Sequence, residues 1–228
     1  MPRPPRLRAV LFDLDGTLLD TAPDMHRALN ALRREHGLAD VPFASVRPRV
    51  SHGAAGVVRA GFEHADEAAA RALQRRFLEL YSGALCVDTK LFPGMDAVLE
   101  AIDAQGLSAG IVTNKAAWLT DPLIDRLNLR TRFACVVSGD TVAERKPHPL
   151  PLLHAAALAG AAPDQCVYVG DAARDVQAAH AAGMPALVAR YGYFSADEDV
   201  DAWGGDGDLD SPLDLMRWLA ARRSDSTA

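Results

Sequence analysis

Five short apolar runs of β character, each followed by a polar turn and then by a segment with helical spacing, constrain this chain more than any other feature. They are Leu7–Phe12, Ser108–Val112, Phe133–Val137, Cys166–Val169 and Ala186–Ala189. Between and after them lie the helical patterns Met95–Ala104, Ala117–Leu127, Pro149–Leu158, Asp175–Ala182 and Pro212–Ala221. Parallel strands need a crossover long enough to hold a helix, so this alternation predicts a parallel sheet covered by helices. The expected fold class is α/β with a Rossmann-like sheet core.

One interval breaks the pattern. From Pro23 to Tyr81 there is no strand signal, only Ala-, Leu- and Arg-rich stretches with helical spacing. The predicted helices are Pro23–His36, Ser51–Gly61 and Glu67–Tyr81, separated by Pro42, Pro48 and the His64–Asp66 stretch. The reading is an inserted α-helical cap over residues 21–87, with a discontinuous core of residues 1–20 and 88–228. The chain returns to the sheet around Leu91–Gly94.

Bulk properties remove several classes of function. The 228 residues give room for one sizeable core plus a modest insertion. Twenty-four basic against thirty acidic residues leave a net charge of −6, a field that repels nucleic acid and anionic membrane. Cys86, Cys135 and Cys166 are odd in number and contain no CxxC pair, which argues against a disulfide framework and a thiolate zinc site. A reducing cytoplasm is the expected compartment. The basic leader Arg3, Arg6 and Arg8 precedes an apolar run too short for a signal peptide or a membrane span, and reads as a solvated tail. The expectation is a monomer or weak homodimer acting on a small molecule, without nucleic-acid or membrane partners.

In open α/β sheets the binding crevice lies beyond the carboxyl ends of the strands. Here those ends carry Asp13-Leu14-Asp15-Gly16-Thr17, Thr113-Asn114-Lys115, Ser138-Gly139-Asp140 and Gly170-Asp171, with Lys146-Pro147 in the loop after the third run. If strand geometry continues, Asp13 and Asp15 project to the same side. A carboxylate can attack phosphorus, and a second can move the proton of the leaving group and then of water. A hard cation held by oxygen ligands relieves repulsion between such carboxylates and neutralises phosphoryl charge. Asp171 supplies an opposing carboxylate and Asp175 a supporting one. Thr113 offers a hydroxyl and Lys146 a point charge for phosphoryl oxygens. Singly, each residue has an ordinary use as a turn, cap or surface group; their joint occurrence at four strand ends does not.

These residues resemble the haloacid dehalogenase-like hydrolase superfamily. Asp13-Leu14-Asp15-Gly16-Thr17-Leu18 is similar to its first motif, Thr113 to its second, Lys146 to its third, and Gly170-Asp171 with Asp175 to its fourth. The resemblance covers nearly the whole chain, including the helical insertion. It implies Asp13 as nucleophile and Asp15 as acid/base. It also implies Mg2+ held by Asp13, Asp171 and the backbone carbonyl of Asp15, and phosphate held by Thr113, Asn114 and Lys146. Val112-Thr113-Asn114-Lys115, Lys146-Pro147-His148-Pro149 and Tyr191-Gly192-Tyr193 resemble the phosphoglycolate phosphatase branch. Within it, Lys90–Met95, Trp203-Gly204 and Asp210–Leu213 resemble N-acetylmuramic acid 6-phosphate phosphatases, which serve cell-wall sugar recycling.

The chain departs from its relatives at Ala172, where many carry a hydroxyl or carboxylate, and at Ser51-His52-Gly53, in place of a Gly-rich loop. His52 and Arg47 are candidate cap contacts to substrate, with Arg49 and Arg59 beside them. Lys115 either contacts substrate or completes a helix start. Asp140 reads as turn chemistry, and Tyr193 and Trp203 as packing. The resulting expectation is a Mg-dependent phosphatase acting on a small phosphorylated metabolite, N-acetylmuramic acid 6-phosphate or 2-phosphoglycolate. A dehalogenase needs neither Asp15 nor Asp171. A phosphomutase uses the same residues and differs in how the cap shields the intermediate. A non-catalytic binding protein predicts decay of the chemical residues, which are all present.

Overall fold

The computed structural model describes residues 6–196 and 198–227; Arg3 of the leader lies outside them. In chain order the strands are β1 (Ala9–Phe12), β2 (Leu19–Asp20), β3 (Lys90–Leu91), β4 (Ser108–Val112), β5 (Cys135–Val137), β6 (Cys166–Gly170), β7 (Ala186–Ala189) and β8 (Gly207–Leu209). One sheet runs β5-β4-β1-β6-β7-β8, with every neighbouring pair parallel. The five apolar runs thus become strands of a single parallel sheet. The edge strand β8 escapes sequence reading because Gly207 and Asp208 are poor strand formers; pairing with β7 holds it.

Side chains alternate across this sheet and divide its core in two. Along β1, Val10 and Phe12 join one apolar cluster, and Ala9 and Leu11 the other. In β6, Val167 and Val169 face the first cluster, and Cys166 and Tyr168 the second. A parallel sheet needs both faces covered, and each buried Val, Leu or Phe contributes roughly 1.5–3 kcal/mol to holding its helical layers in place.

After β1 the chain leaves the sheet through β2 and returns through β3, which pairs with it antiparallel as Leu19 with Leu91 and Asp20 with Lys90. The excursion contains α1 (Ala22–Glu35), α2 (Phe43–Val46), a tight 3-10 turn over Arg47–His52, α3 (Gly53–Gly61) and α4 (Glu67–Gly83). Helices α1, α3 and α4 pack on one another. The helix expected to begin at Ser51 begins at Gly53. Pro48 sits in the first turn of the 3-10 segment, which occupies the preceding residues.

The return is secured by Asp24, whose buried carboxylate accepts from the N–H groups of Val87, Asp88 and Thr89 and from the Thr89 hydroxyl. The remaining helices are α5 (Met95–Ala104), α6 (Ala117–Arg126), α7 (Leu150–Leu158), α8 (Ala173–Ala181) and α9 (Asp214–Thr227). Among the described residues no helix is long and apolar enough to cross a membrane.

Candidate active site

The register of β1 fixes one rim of the sheet. Phe12 lies beside Ile111 of β4 and Val169 of β6, so the residues just beyond all three strands emerge together. Asp13 N–H donates to Val169 O and Thr113 N–H to Val137 O, both at 2.9 Å, which carries the sheet pattern one residue past β1 and β4.

Asp13, Asp171 and Asp175 are buried there, each with one carboxylate oxygen within 4.8 Å of the others. Lys146 enters from the loop after β5, its side chain inaccessible to solvent. Its Nζ lies 2.9 Å from Asp13 Oδ1 and 2.7 Å from Asp175 Oδ1. The same Nζ donates to Tyr168 Oη at 2.7 Å, and that hydroxyl donates to Val112 O at 2.8 Å. Arg174 approaches Asp13 Oδ2 to 3.9 Å. Asp175 also holds the start of α8, where its Oδ2 accepts from Ala172 N–H at 3.0 Å.

Asp171 is gripped from two directions. Its Oδ2 accepts from the Ser51 hydroxyl at 2.7 Å and from Tyr193 N–H at 2.8 Å. Gly16 passes so close, at φ +86°, that a Cβ there would stand 2.0 Å from Asp171 Oδ2. Only glycine fits, because both the space and the left-handed backbone forbid a side chain.

Burial above all, and then the charges of Asp13 and Asp175, push the Asp171 carboxyl up to about 7. Burial also raises Asp13, with Lys146 pulling the other way. Three buried carboxylates against Lys146 and the partly exposed Arg174 form an oxygen-rich, negatively biased pocket. Its hard donors suit a small divalent cation such as Mg2+, which would replace protons in relieving their repulsion.

Asp15 does not project beside Asp13. β1 ends at Phe12 and Gly16 turns the chain, so strand alternation stops before Asp15. Its carboxylate instead accepts from the Thr21 hydroxyl at 2.7 Å and from Lys115 Nζ at 2.9 and 3.1 Å. Lys115 is here a buried counter-ion to Asp15, 4.8 Å over the ring of Tyr81 from α4.

Asn114 spends its side chain on the Lys146 backbone, donating to its carbonyl at 2.9 Å and accepting from its N–H at 3.0 Å. It positions the lysine loop rather than presenting an amide to the rim. Thr113 is buried at the rim, its hydroxyl oxygen accepting from Lys115 N–H at 3.2 Å.

Arg47, expected at the substrate, bridges to the sheet domain. It donates to Gly192 O at 2.9 Å and Tyr191 O at 3.0 Å, and its guanidinium stacks 4.8 Å over the Tyr193 ring. Tyr193 does more than pack: its hydroxyl donates to Asp20 Oδ1 at 2.5 Å and accepts from Ala22 N–H at 3.0 Å, where the chain leaves the sheet. Trp203 packs edge-on against Phe194. Asp140 accepts from Ala117 N–H at 2.8 Å and caps α6.

His52 lines a cleft of about 750 Å³ beside α3. Sequence reading passed over Tyr168, Arg174 and Thr21. The available signal was positional, since Arg174 stands next to Asp175 at the start of α8 and Thr21 precedes α1.

The family profile described as haloacid dehalogenase-like hydrolase matches residues 10–189. The chain is 47% identical over 208 residues to a phosphoglycolate phosphatase of Xanthomonas campestris, covering 91% of this chain and 94% of that one. It is 38% identical over 212 residues to an N-acetylmuramic acid 6-phosphate phosphatase of Pseudomonas aeruginosa, covering 92% and 94%. A crystal structure described as a predicted phosphoglycolate phosphatase from Haemophilus somnus superposes with a TM-score of 0.81 at 27% identity, covering 93% and 97%. Profile, relatives and shared architecture agree: the chain belongs to the haloacid dehalogenase-like hydrolase family.

Proposed function

We propose that this chain is a magnesium-dependent phosphomonoesterase that passes through an aspartyl-phosphate on Asp13. The observation that carries this reading is the convergence of Asp13, Asp171 and Asp175 around Lys146 at the rim where β1, β4 and β6 end. In the first step an Asp13 oxygen attacks phosphorus, the bond to the ester oxygen breaks, and that oxygen leaves with a proton from Asp15. In the second, water attacks phosphorus and gives its proton to Asp15, and the Asp13–phosphorus bond breaks to release phosphate. Asp15 must leave Lys115 and Thr21 to reach the leaving oxygen.

Asp13, Asp171 and the Asp15 carbonyl would hold Mg2+, with Asp175 in support. The ion would neutralise charge on the phosphoryl oxygens. Lys146 and Thr113 would hold those oxygens, and Asn114 would fix the lysine loop. Residues 1–20 and 88–228 act as the core and 21–87 as a cap that excludes bulk water during transfer. The contacts of Ser51 and Arg47 with the sheet domain support this division.

The names of the relatives supply two substrates, 2-phosphoglycolate and N-acetylmuramic acid 6-phosphate. The test is phosphate release from both, with Mg2+ and with chelator, by the wild type and Asp13→Asn. Turnover that requires Mg2+ and vanishes in Asp13→Asn is expected. Metal-independent turnover, or a fully active Asp13→Asn, overturns the reading.

A further inference from the structure

A cleft of about 750 Å³ is walled by α2, the 3-10 turn, α3, Glu63 and Ser195. It lies one residue along the chain from the carboxylate cluster: Ser51 donates to Asp171, and the next residue, His52, lines the cleft. His52 also lies in the electrostatic field of Arg174, the arginine nearest Asp13. The rest of a substrate whose phosphate meets Asp13 would extend into this space.

The lining has a definite chemistry. Arg49 and Arg59 both border the cleft, and neither guanidinium has an ion-pair or hydrogen-bond partner among the described residues. By contrast, Arg27, Arg34, Arg76 and Arg130 are each paired with a carboxylate. Two unpaired guanidiniums bordering one cleft, Arg49 from the 3-10 turn and Arg59 from α3, suit a planar carboxylate, which each can meet with parallel N–H donors. Glu63 and Ser45 on the same lining supply acceptors for hydroxyl or amide N–H groups. The volume lies in the range that takes a ligand of drug size, far more than a two-carbon acid fills.

Resting on the phosphatase reading, we propose that Arg49 and Arg59 form a carboxylate-binding subsite, and that the substrate is a phosphorylated sugar acid rather than a neutral sugar phosphate or 2-phosphoglycolate. The arginines act on specificity, through binding of the part of the substrate remote from phosphorus.

The test compares kcat/KM for N-acetylmuramic acid 6-phosphate, N-acetylglucosamine 6-phosphate, which lacks the carboxylate, and 2-phosphoglycolate. The wild type is expected to prefer the sugar acid by about ten- to a hundredfold, the worth of charge-assisted hydrogen bonds to one carboxylate. In Arg49→Gln/Arg59→Gln the preference over the neutral sugar collapses toward unity, through KM. In Arg49→Lys/Arg59→Lys part of it survives, because the charge remains.

Equal loss on both sugars in the Gln variant, or a wild-type preference for 2-phosphoglycolate, overturns the subsite. Affinity of Asp13→Asn for the two sugar phosphates, measured by calorimetry, reads the subsite without turnover; equal affinities overturn it. Failure of the wild type to hydrolyse even p-nitrophenyl phosphate overturns the phosphatase reading instead.

Discussion

Lys115 donates from Nζ to both carboxylate oxygens of Asp15, at 2.9 and 3.1 Å, with only 4% of its side chain exposed. Burial disfavours the ammonium, but Asp15 and then Tyr81 outweigh it and hold the lysine well above its usual range. Lys115→Met strands a nearly buried carboxylate and is expected to destabilise the fold by about 3 kcal/mol. Asp15→Asn in the same chain should recover part of that loss, because the two charges exist for each other. Urea unfolding of the two single variants and the double variant measures the coupling; strict additivity would contradict it.

Lys146 is the cation shared by Asp13 and Asp175. On the proposed mechanism Lys146→Met lowers kcat by about 10²- to 10³-fold, the effect of losing one preorganised donor to developing charge. Lys146→Arg does not restore it, since a planar fork cannot replace a point charge in a fully packed space. Steady-state kinetics on a phosphate ester that the wild type turns over checks both.

The raised Asp171 carboxyl carries a sign that can be worked out. Its folded value, about 7, lies above the ordinary carboxylate value near 4, so ionising it in the fold costs stability progressively between those pH values. Asp171→Asn should therefore be more stable than the wild type in chelator above pH 7. Saturating Mg2+, at a hundred times its Kd, should raise wild-type stability by about 2.7 kcal/mol and leave Asp171→Asn unmoved. Thermal unfolding with and without Mg2+ reads both effects.

Asp24 behaves in the opposite sense. Burial pushes it up, but the Thr89 hydroxyl, the Asp88 N–H and Arg27 outweigh burial and hold it below the ordinary carboxylate range. Its stabilisation is present above the unfolded value near 4 and is lost as pH falls through the lower folded value. The stability gap between the wild type and Asp24→Asn is expected to be constant from pH 5 to 8 and to close below pH 4, as denaturant unfolding at each pH would record.

Arg47 ties the 3-10 turn to Gly192 and Tyr191. Arg47→Ala should cost about 1.5–3 kcal/mol of local stability. Hydrogen exchange is expected to accelerate in residues 47–52 and 191–193 while the strands of the sheet keep their protection. Unchanged exchange in both segments would contradict the tether.

The sheet was legible because its strands are apolar runs that must be buried on both faces, and Val10, Phe12, Val167 and Val169 leave no other solution. The rim was legible because reactive residues follow those runs directly. What escaped depends on three-dimensional direction. Strand periodicity places Asp15 beside Asp13, but a turn at Gly16 sends it to Lys115, a hundred residues on. Nothing local in Arg47 distinguishes a substrate contact from a bridge to Gly192. The strand β8 forms through its neighbour rather than through its own residues.

The central claim is that phosphorus bonds to Asp13 during turnover. The direct measurement is acid quench of the enzyme with substrate and Mg2+ within one turnover, followed by peptide mass spectrometry. A phosphoryl group on the peptide containing Asp13, absent in Asp13→Asn, is the predicted result. Continued phosphate release with no phosphorylated peptide, and inversion of configuration at a chiral phosphorus, would contradict it.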